Sequence, residues 1–415
     1  MSPSMSNQTR WAGGTSVAWV LGLAVCGGVE PGAMTAPSPV PDAHPSCWTE
    51  AGTQAAGPVW TSLGEGRLGP EGQTDRVVLE APAGTASISL RVFDSAGGAA
   101  SEGAPACVQL AQLDDPTGTN WVAPSNPGPY CMGCPQRVSL GVGYGLFVLP
   151  SNDQPPPLAG PLGIRAAAID CPAAPRDAPT AVTRLRIEAL LRPEIPATRT
   201  GLLAVGLAFG RTSPLADDAH RDAVIPDALR LVDAMLAPGH LQVQVVRTRP
   251  VDVPDPLELV RNDNGPLDRL YRNVRGSGDC APPPEDGWIP IVFAGCIRIT
   301  DPDLNTTFAP DGLTPGIPSG FPPPGRAHGI FVKGRSCRVD ADPIDWPASL
   351  LAKVIAHELG HYLGLYHSIE ADGTLDQLAD TAADNIMFAN PLAASAQGFS
   401  AAQFRVMRRH PAIRW

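Results

Sequence analysis

Three histidines and a glutamate fall in one short run, Ile355-Ala356-His357-Glu358-Leu359-Gly360-His361-Tyr362-Leu363-Gly364-Leu365-Tyr366-His367. On a helix, His357 and His361 lie one turn apart on a single face, so both imidazoles can reach one metal ion. Glu358, beside the first ligand, can sit over the metal's open position, take a proton from a bound water and later deliver it to a leaving amine. Gly364 lets the chain leave the helix in a conformation that other residues resist, which swings His367 back as a third ligand. Three neutral nitrogens leave a fourth position for water, the coordination that a catalytic zinc site requires. Histidines hydrogen-bonded in an ordinary helix core would account for one of these residues, not for three with a Glu and a Gly in register.

The run resembles the long zinc motif of the metzincins, a family named for that motif and for a downstream turn containing methionine. Asn385-Ile386-Met387-Phe388 fits the position and type of the turn. The resemblance implies that Met387 forms an apolar floor beneath the three imidazoles without binding the metal; a core methionine is the plainer reading, and the two nearly coincide. Within metzincins, Asp376-Gln377-Leu378-Ala379-Asp380-Thr381 before the turn and Phe399-Ser400-Ala401-Ala402-Gln403 after it resemble the pappalysin-like enzymes. Two departures stand out. No cysteine follows Cys337, whereas disulfides near the turn are common in those relatives, and Ala389 stands where some metzincins carry a switching tyrosine ligand. The resemblance covers residues 347–407, and the rest of the catalytic unit by order of elements.

What it implies is a zinc-dependent endopeptidase that hydrolyses extracellular proteins or peptides by Glu-assisted attack of zinc-bound water. The implied catalytic fold is α/β, a twisted mixed sheet with the active-site helix. Substrates in this family lie extended beside an edge strand above the zinc. Residues 327–333, short, strand-like and directly before the helix, are the candidate for that strand, with an interior strand as the alternative reading. The long Pro-rich stretch 301–325 either rims the cleft or is an insertion.

Glu370, Asp372, Asp376, Asp380 and Asp384 follow the motif. Hard oxygen ligands on a loop suit Ca²⁺, and Asp372, Asp376 and Asp380 are candidates either for calcium or for orienting a zinc ligand from behind, Asp380 above all. Solvated loop carboxylates are the plainer reading, since no fixed ligand spacing is met. The remaining histidines are isolated; His328, on the candidate edge strand, could line the cleft.

These residues need a scaffold. The chain has 415 residues, 43% hydrophobic and 17% charged, enough apolar material for two cores. A net charge of −11 with no basic cluster makes a poor surface for nucleic acid or anionic lipid, and no nucleic-acid partner is expected. Arg10 precedes an apolar run, residues 11–25, that is too short to span a bilayer core of about 30 Å as a helix and reads as an export signal. It ends in Leu23-Ala24-Val25-Cys26-Gly27, similar to a bacterial lipobox apart from Val25. Cys26 is either a lipid-bearing membrane anchor or is discarded with an ordinary signal peptide. The expected location is extracellular or at the cell envelope. The other cysteines (Cys47, Cys107, Cys131, Cys134, Cys171, Cys280, Cys296 and Cys337) are even in number, as expected of disulfides in an exported chain.

Residues 1–26 are thus the signal, 27–46 a Pro-rich tether, 47–171 an all-β sandwich with short alternating runs, 172–181 a Pro- and Ala-rich linker, and 182–415 the α/β catalytic unit. In the last, 185–191 reads as a strand, 221–236 as a helix, 240–246 as a strand, 257–274 as an interrupted helix, and 289–293 as a strand. Pro347 opens the active-site helix, with Asp345 as a candidate cap. A second functional reading is a cell-surface binding or adhesion protein on an inactive or latent protease fold; Glu358 speaks against it. A third treats 47–171 as an inhibitory pro-region.

Overall fold

The structure, a computed structural model, describes residues 58–94, 106–122, 136–138, 141–153, 155, 158–170, 182–260, 265–275, 287–301, 305–322, 328–337, 345–370, 375–382, 385–392 and 398–415, together with the backbone of two short strands, Leu23–Cys26 and Thr49–Glu50. The rest of the segment expected as an export signal, the expected tether and linker, Cys131, Cys134 and Asp372 lie outside the described residues. Mixed sheets dominate and helices are few. No helix among the described residues is long and apolar enough to cross a membrane.

Two four-stranded antiparallel sheets make up the N-terminal unit. One runs in the order Thr61–Arg67, Arg184–Pro193, Thr85–Asp94 and Tyr144–Leu149; the other in the order Val77–Ala81, Gly160–Asp170, Ala106–Asp114 and Gly141–Val142. Strand alternation places Ile88, Leu90 and Val92 in one core with Leu110, Leu113 and Ile164 of the facing sheet. Tyr144–Leu149 is a party wall: Phe147 and Leu149 enter this core, while Leu146 and Val148 enter the core of the C-terminal unit.

Arg184–Pro193, read from the sequence as the first strand of segment 182–415, pairs instead within the N-terminal sheet. Its alternation explains why. Leu185, Ile187 and Ala189 point into the N-terminal core, and a one-residue slip would expose all three. In pairing terms, the N-terminal unit therefore ends after Pro193.

The C-terminal unit is built on four parallel strands in the order Leu241–Val251, Gly201–Gly210, Ile289–Ala294 and Ile330–Lys333. Strands covered on both faces read as continuous apolar runs, and Ile289–Ala294 and Ile330–Lys333 are buried at every position. The helices Asp218–Leu236 and Ala348–Tyr362 cover one face through Ile225, Ala228 and Val232 and through Leu351, Ile355 and Leu359. Helix Gly265–Arg275 covers the other through Leu267, Leu270 and Val274. The segment read as one interrupted helix at 257–274 is divided. Leu257–Val260 is a strand beside Ile297–Asp301, with Leu257 and Leu259 inward at period two, and the helix follows.

Past Ile330–Lys333 comes a short antiparallel strand, Gly312–Pro315. The strand expected at the cleft edge within 327–333 is therefore interior, and the outer position belongs to four residues from the Pro-rich stretch. The backbone of Leu23–Cys26 in turn pairs antiparallel with that outer strand, Leu23 opposite Pro315 and Cys26 opposite Gly312. A disulfide joins Cys296 to Cys337.

The two units close on each other at the chain's end. Arg192 donates from Nη1 to the carbonyl of His410 at 2.9 Å and from Nη2 to those of Pro411 at 2.8 Å and Ile413 at 3.3 Å. Ile413–Arg414 adds an antiparallel strand beside Leu202 and Leu203. His410 is fully buried: the N–H of Ala412 donates to its Nδ1 at 3.1 Å, and its own Nε2–H donates to the Ser319 carbonyl at 3.0 Å. Burial, with Arg192 adding to it, pushes His410 down to about 3. The unfolded chain takes up that proton near its ordinary value of about 6.5, so between these limits it binds more protons than the folded one. Stability is then complete above about pH 6.5 and declines as the pH falls toward 3. Urea midpoints across that window should fall less steeply for His410→Gln than for the wild type; identical slopes would contradict this assignment.

Candidate active site

The active-site helix Ala348–Tyr362 begins after Pro347, which occupies the cap position without a side-chain bond; Asp345 instead forms a bridge with Arg335. The helix ends as the spacing predicts. Gly364 has φ +104°, the N–H of Leu365 bonds the Gly360 carbonyl at 2.9 Å and that of Gly364 the His361 carbonyl at 3.0 Å. That pair of bonds is a Schellman closure around a residue that only glycine occupies without strain. It returns the chain so that His367 meets the two helix histidines.

Ligand nitrogens of His357, His361 and His367 lie within 4.8 Å of one another, all three residues buried, and this is the one such donor group found among the described residues. Each ring is oriented from behind. His357 Nδ1 donates to the Ile386 carbonyl at 2.7 Å, His361 Nδ1 to the Leu365 carbonyl at 2.7 Å, and His367 Nδ1 to Glu370 Oε2 at 3.1 Å. Carbonyl oxygens only accept, so in His357 and His361 the proton sits on Nδ1 and Nε2 carries a bare lone pair. Those two Nε2 atoms stand 2.8 Å apart. Burial, with the His367 ring adding to it, pushes His357 down to about 3, and burial holds His361 well below its ordinary range. Two facing lone pairs on neutral rings repel unless a cation lies between them. The donor set is therefore compatible with a zinc ion.

Glu358 is fully buried beside this cluster. Thr314, in the outer strand, donates from Oγ1 to Glu358 Oε2 at 2.7 Å. A Cβ on Gly312, two residues earlier, would stand 2.5 Å from Glu358 Oε1, so only glycine leaves the carboxylate its place. Sequence reading missed both residues: Gly-Leu-Thr-Pro carries no strand signal, and nothing in its composition points to Glu358.

Met387 lies under the helix. A Cβ on Gly360 would meet its Sδ at 2.4 Å, which makes the Gly360 position of the motif a packing requirement. The turn is held by Asn385, whose Oδ1 accepts from the Met387 N–H at 2.8 Å and whose Nδ2 donates to Gln403 Oε1 at 3.0 Å. Ser400 and Gln403 form a reciprocal capping box on helix Ala401–Met407. The segment after the turn, through Gln403, thus helps to fix its position.

The acidic candidates separate. Asp380 does not reach a ligand imidazole: its Oδ2 accepts the Ala402 N–H at 3.0 Å, at the start of helix Ala401–Met407. Asp376 accepts the Leu378 N–H, and burial pushes it up to about 6. Neither belongs to a converging donor group among the described residues. The carboxylate behind a ligand is Glu370. Burial raises it, but the hydrogen bond from His367 Nδ1 and the ion pair with Arg137 outweigh that and leave it below its ordinary value. His328 sits between the Tyr271 and Tyr362 hydroxyls.

No protein-family profile matches the chain, and no curated protein does. Among solved structures it is similar to metalloproteinase-II from Bacteroides fragilis, at 15% identity over 55% of this chain and 63% of that one, with a TM-score of 0.32. The match spans less than two thirds of that protein's length. It is also similar to a family two carbohydrate esterase from Cellvibrio japonicus, at 12% identity over 60% of this chain and 67% of that one, with a TM-score of 0.13. Neither likeness is close enough to assign a family.

Proposed function

We propose that the chain is an exported zinc metalloendopeptidase of the metzincin type, similar to the pappalysin-like enzymes, with an N-terminal β-sandwich. The observation that carries this reading is the three buried, tautomer-fixed histidines with Glu358 beside them. A zinc ion held by His357, His361 and His367 would supply Lewis-acid chemistry, making a water nucleophilic at neutral pH and polarising a peptide carbonyl.

The chain's own residues supply the rest. Glu358 accepts a proton at its carboxylate and returns it to the leaving amine. Thr314 and Gly312 hold that carboxylate in place. The outer strand Gly312–Pro315 offers main-chain groups to an extended peptide, and the antiparallel pairing of Leu23–Cys26 there supports such a fit. Met387 packs the floor of the site. Export, and lipid attachment at Cys26, remain part of this proposal on the sequence alone.

Purified chain from residue 27 onward should cut a mixed peptide library internally, and a zinc chelator should stop it. Zinc-loaded protein that cuts nothing would instead favour the adhesion or latent reading.

A further inference from the structure

One ligand of the candidate metal centre is reached from the other unit. The Glu370 carboxylate uses one oxygen on His367 Nδ1, 3.1 Å away, and the other on Arg137 Nη2, 2.9 Å away. Arg137 belongs to the N-terminal unit, between its strands Ala106–Asp114 and Gly141–Val142. Its guanidinium lies 3.8 Å from the ring centroid of Tyr366, the residue before the ligand. The ion pair is largely withdrawn from water, with side-chain exposures of 6% and 15%.

Arg137 is itself held. Its N–H donates to Ser151 Oγ at 2.9 Å, and Gln136 Nε2 donates to Asn152 Oδ1 at 3.0 Å. Asn152 Nδ2 in turn reaches Gln377 Oε1 at 3.2 Å. Arg137 and Asn152, linked through Gln136, thus brace the chain at two places, at Tyr366–Glu370 and at Gln377. A planar guanidinium suits this role because it can stack on a ring and bind a carboxylate at the same time, which an ammonium cannot. Removing it would leave a buried carboxylate without the cation that fixes its direction, and the His367 ring without a fixed acceptor.

We propose that Arg137 is a positioning residue for the metal centre: through Glu370 it sets the ring of His367, so the N-terminal unit is a working part of the site and not a detachable pro-region. This rests on the metalloprotease reading above, and its test reads metal binding, not hydrolysis.

A second bridge between the two units, Arg405 to Asp153 at 2.9 Å, is more exposed and touches no ligand, which makes it the control. In the full chain, zinc affinity would be measured by competition with a chromophoric chelator, and ligand geometry by the visible spectrum of the Co²⁺ form. Glu370→Gln and Arg137→Met should each weaken zinc binding by about 10–100-fold and alter the Co²⁺ spectrum. The double variant should bind no more weakly than Glu370→Gln alone, Arg137→Lys should recover part of the loss, and Arg405→Ala should match the wild type. Wild-type affinity in Arg137→Met, or losses that add in full, would overturn the proposal. If Arg137→Met does not fold, Glu370→Gln decides: an affinity and spectrum equal to wild type overturn it. A wild-type chain that binds no zinc would remove both readings, whereas normal zinc binding in every variant would remove this one alone.

Discussion

Glu358→Gln should lower peptide hydrolysis by about 10²–10⁴-fold while one zinc per chain is retained. The substitution keeps the shape of a side chain enclosed by Thr314 and Gly312, so the fold and the metal centre should survive it. What disappears is an oxygen able to take a proton and return it. The measurement is kcat on a cleaved library peptide, alongside metal content of the same preparation. Full activity in the variant would show that Glu358 is not the proton carrier. Equal inactivity of variant and wild type, with zinc bound in both, would move the protein to the binding-protein reading.

His361→Ala should have the second largest effect, on the metal itself. Losing a ring that supplies one of three nitrogens should weaken zinc by more than the roughly 10–100-fold expected from losing an outer partner such as Glu370. The readout can avoid activity. A metal that binds only the folded chain stabilises it by about 2.7 kcal/mol at a hundredfold excess over Kd. Zinc should therefore raise the unfolding midpoint of the wild type and leave His361→Ala unmoved. Equal zinc shifts in the two proteins would remove His361 from the ligand set.

The candidate site was legible where its chemistry depends on residues at fixed short spacing. A helix turn brings His357 to His361, and a glycine after the helix brings back His367; both facts follow from backbone geometry. The residues brought in from a distance were not legible. Thr314 and Gly312 reach Glu358 from 44 positions or more away in sequence, on a strand whose glycine and proline disguise it. Arg137 reaches Glu370 across 233 positions. The expected edge strand failed for a related reason. An apolar run marks a strand covered on both faces, as Ile330–Lys333 is, whereas Gly312–Pro315 beside it carries a Gly and a Pro that hide the strand. Asp380 looked like a carboxylate for the metal because spacing cannot tell a helix cap from a partner to an imidazole. The strand expected at 185–191 joins the N-terminal sheet, which its own residues could not say, because a strand's sequence does not name the sheet it pairs with.

The Arg192 clamp is a long-range closure of the fold. Its three carbonyl partners lie 218, 219 and 221 positions downstream, so the N-terminal sheet can be paired long before its last ion-to-backbone contacts exist. The guanidinium meets these carbonyls only once residues 410–413 have folded back on it. The seam between the units is thus a contact of long sequence separation, whose loop-closure entropy is met before the contact stabilises anything.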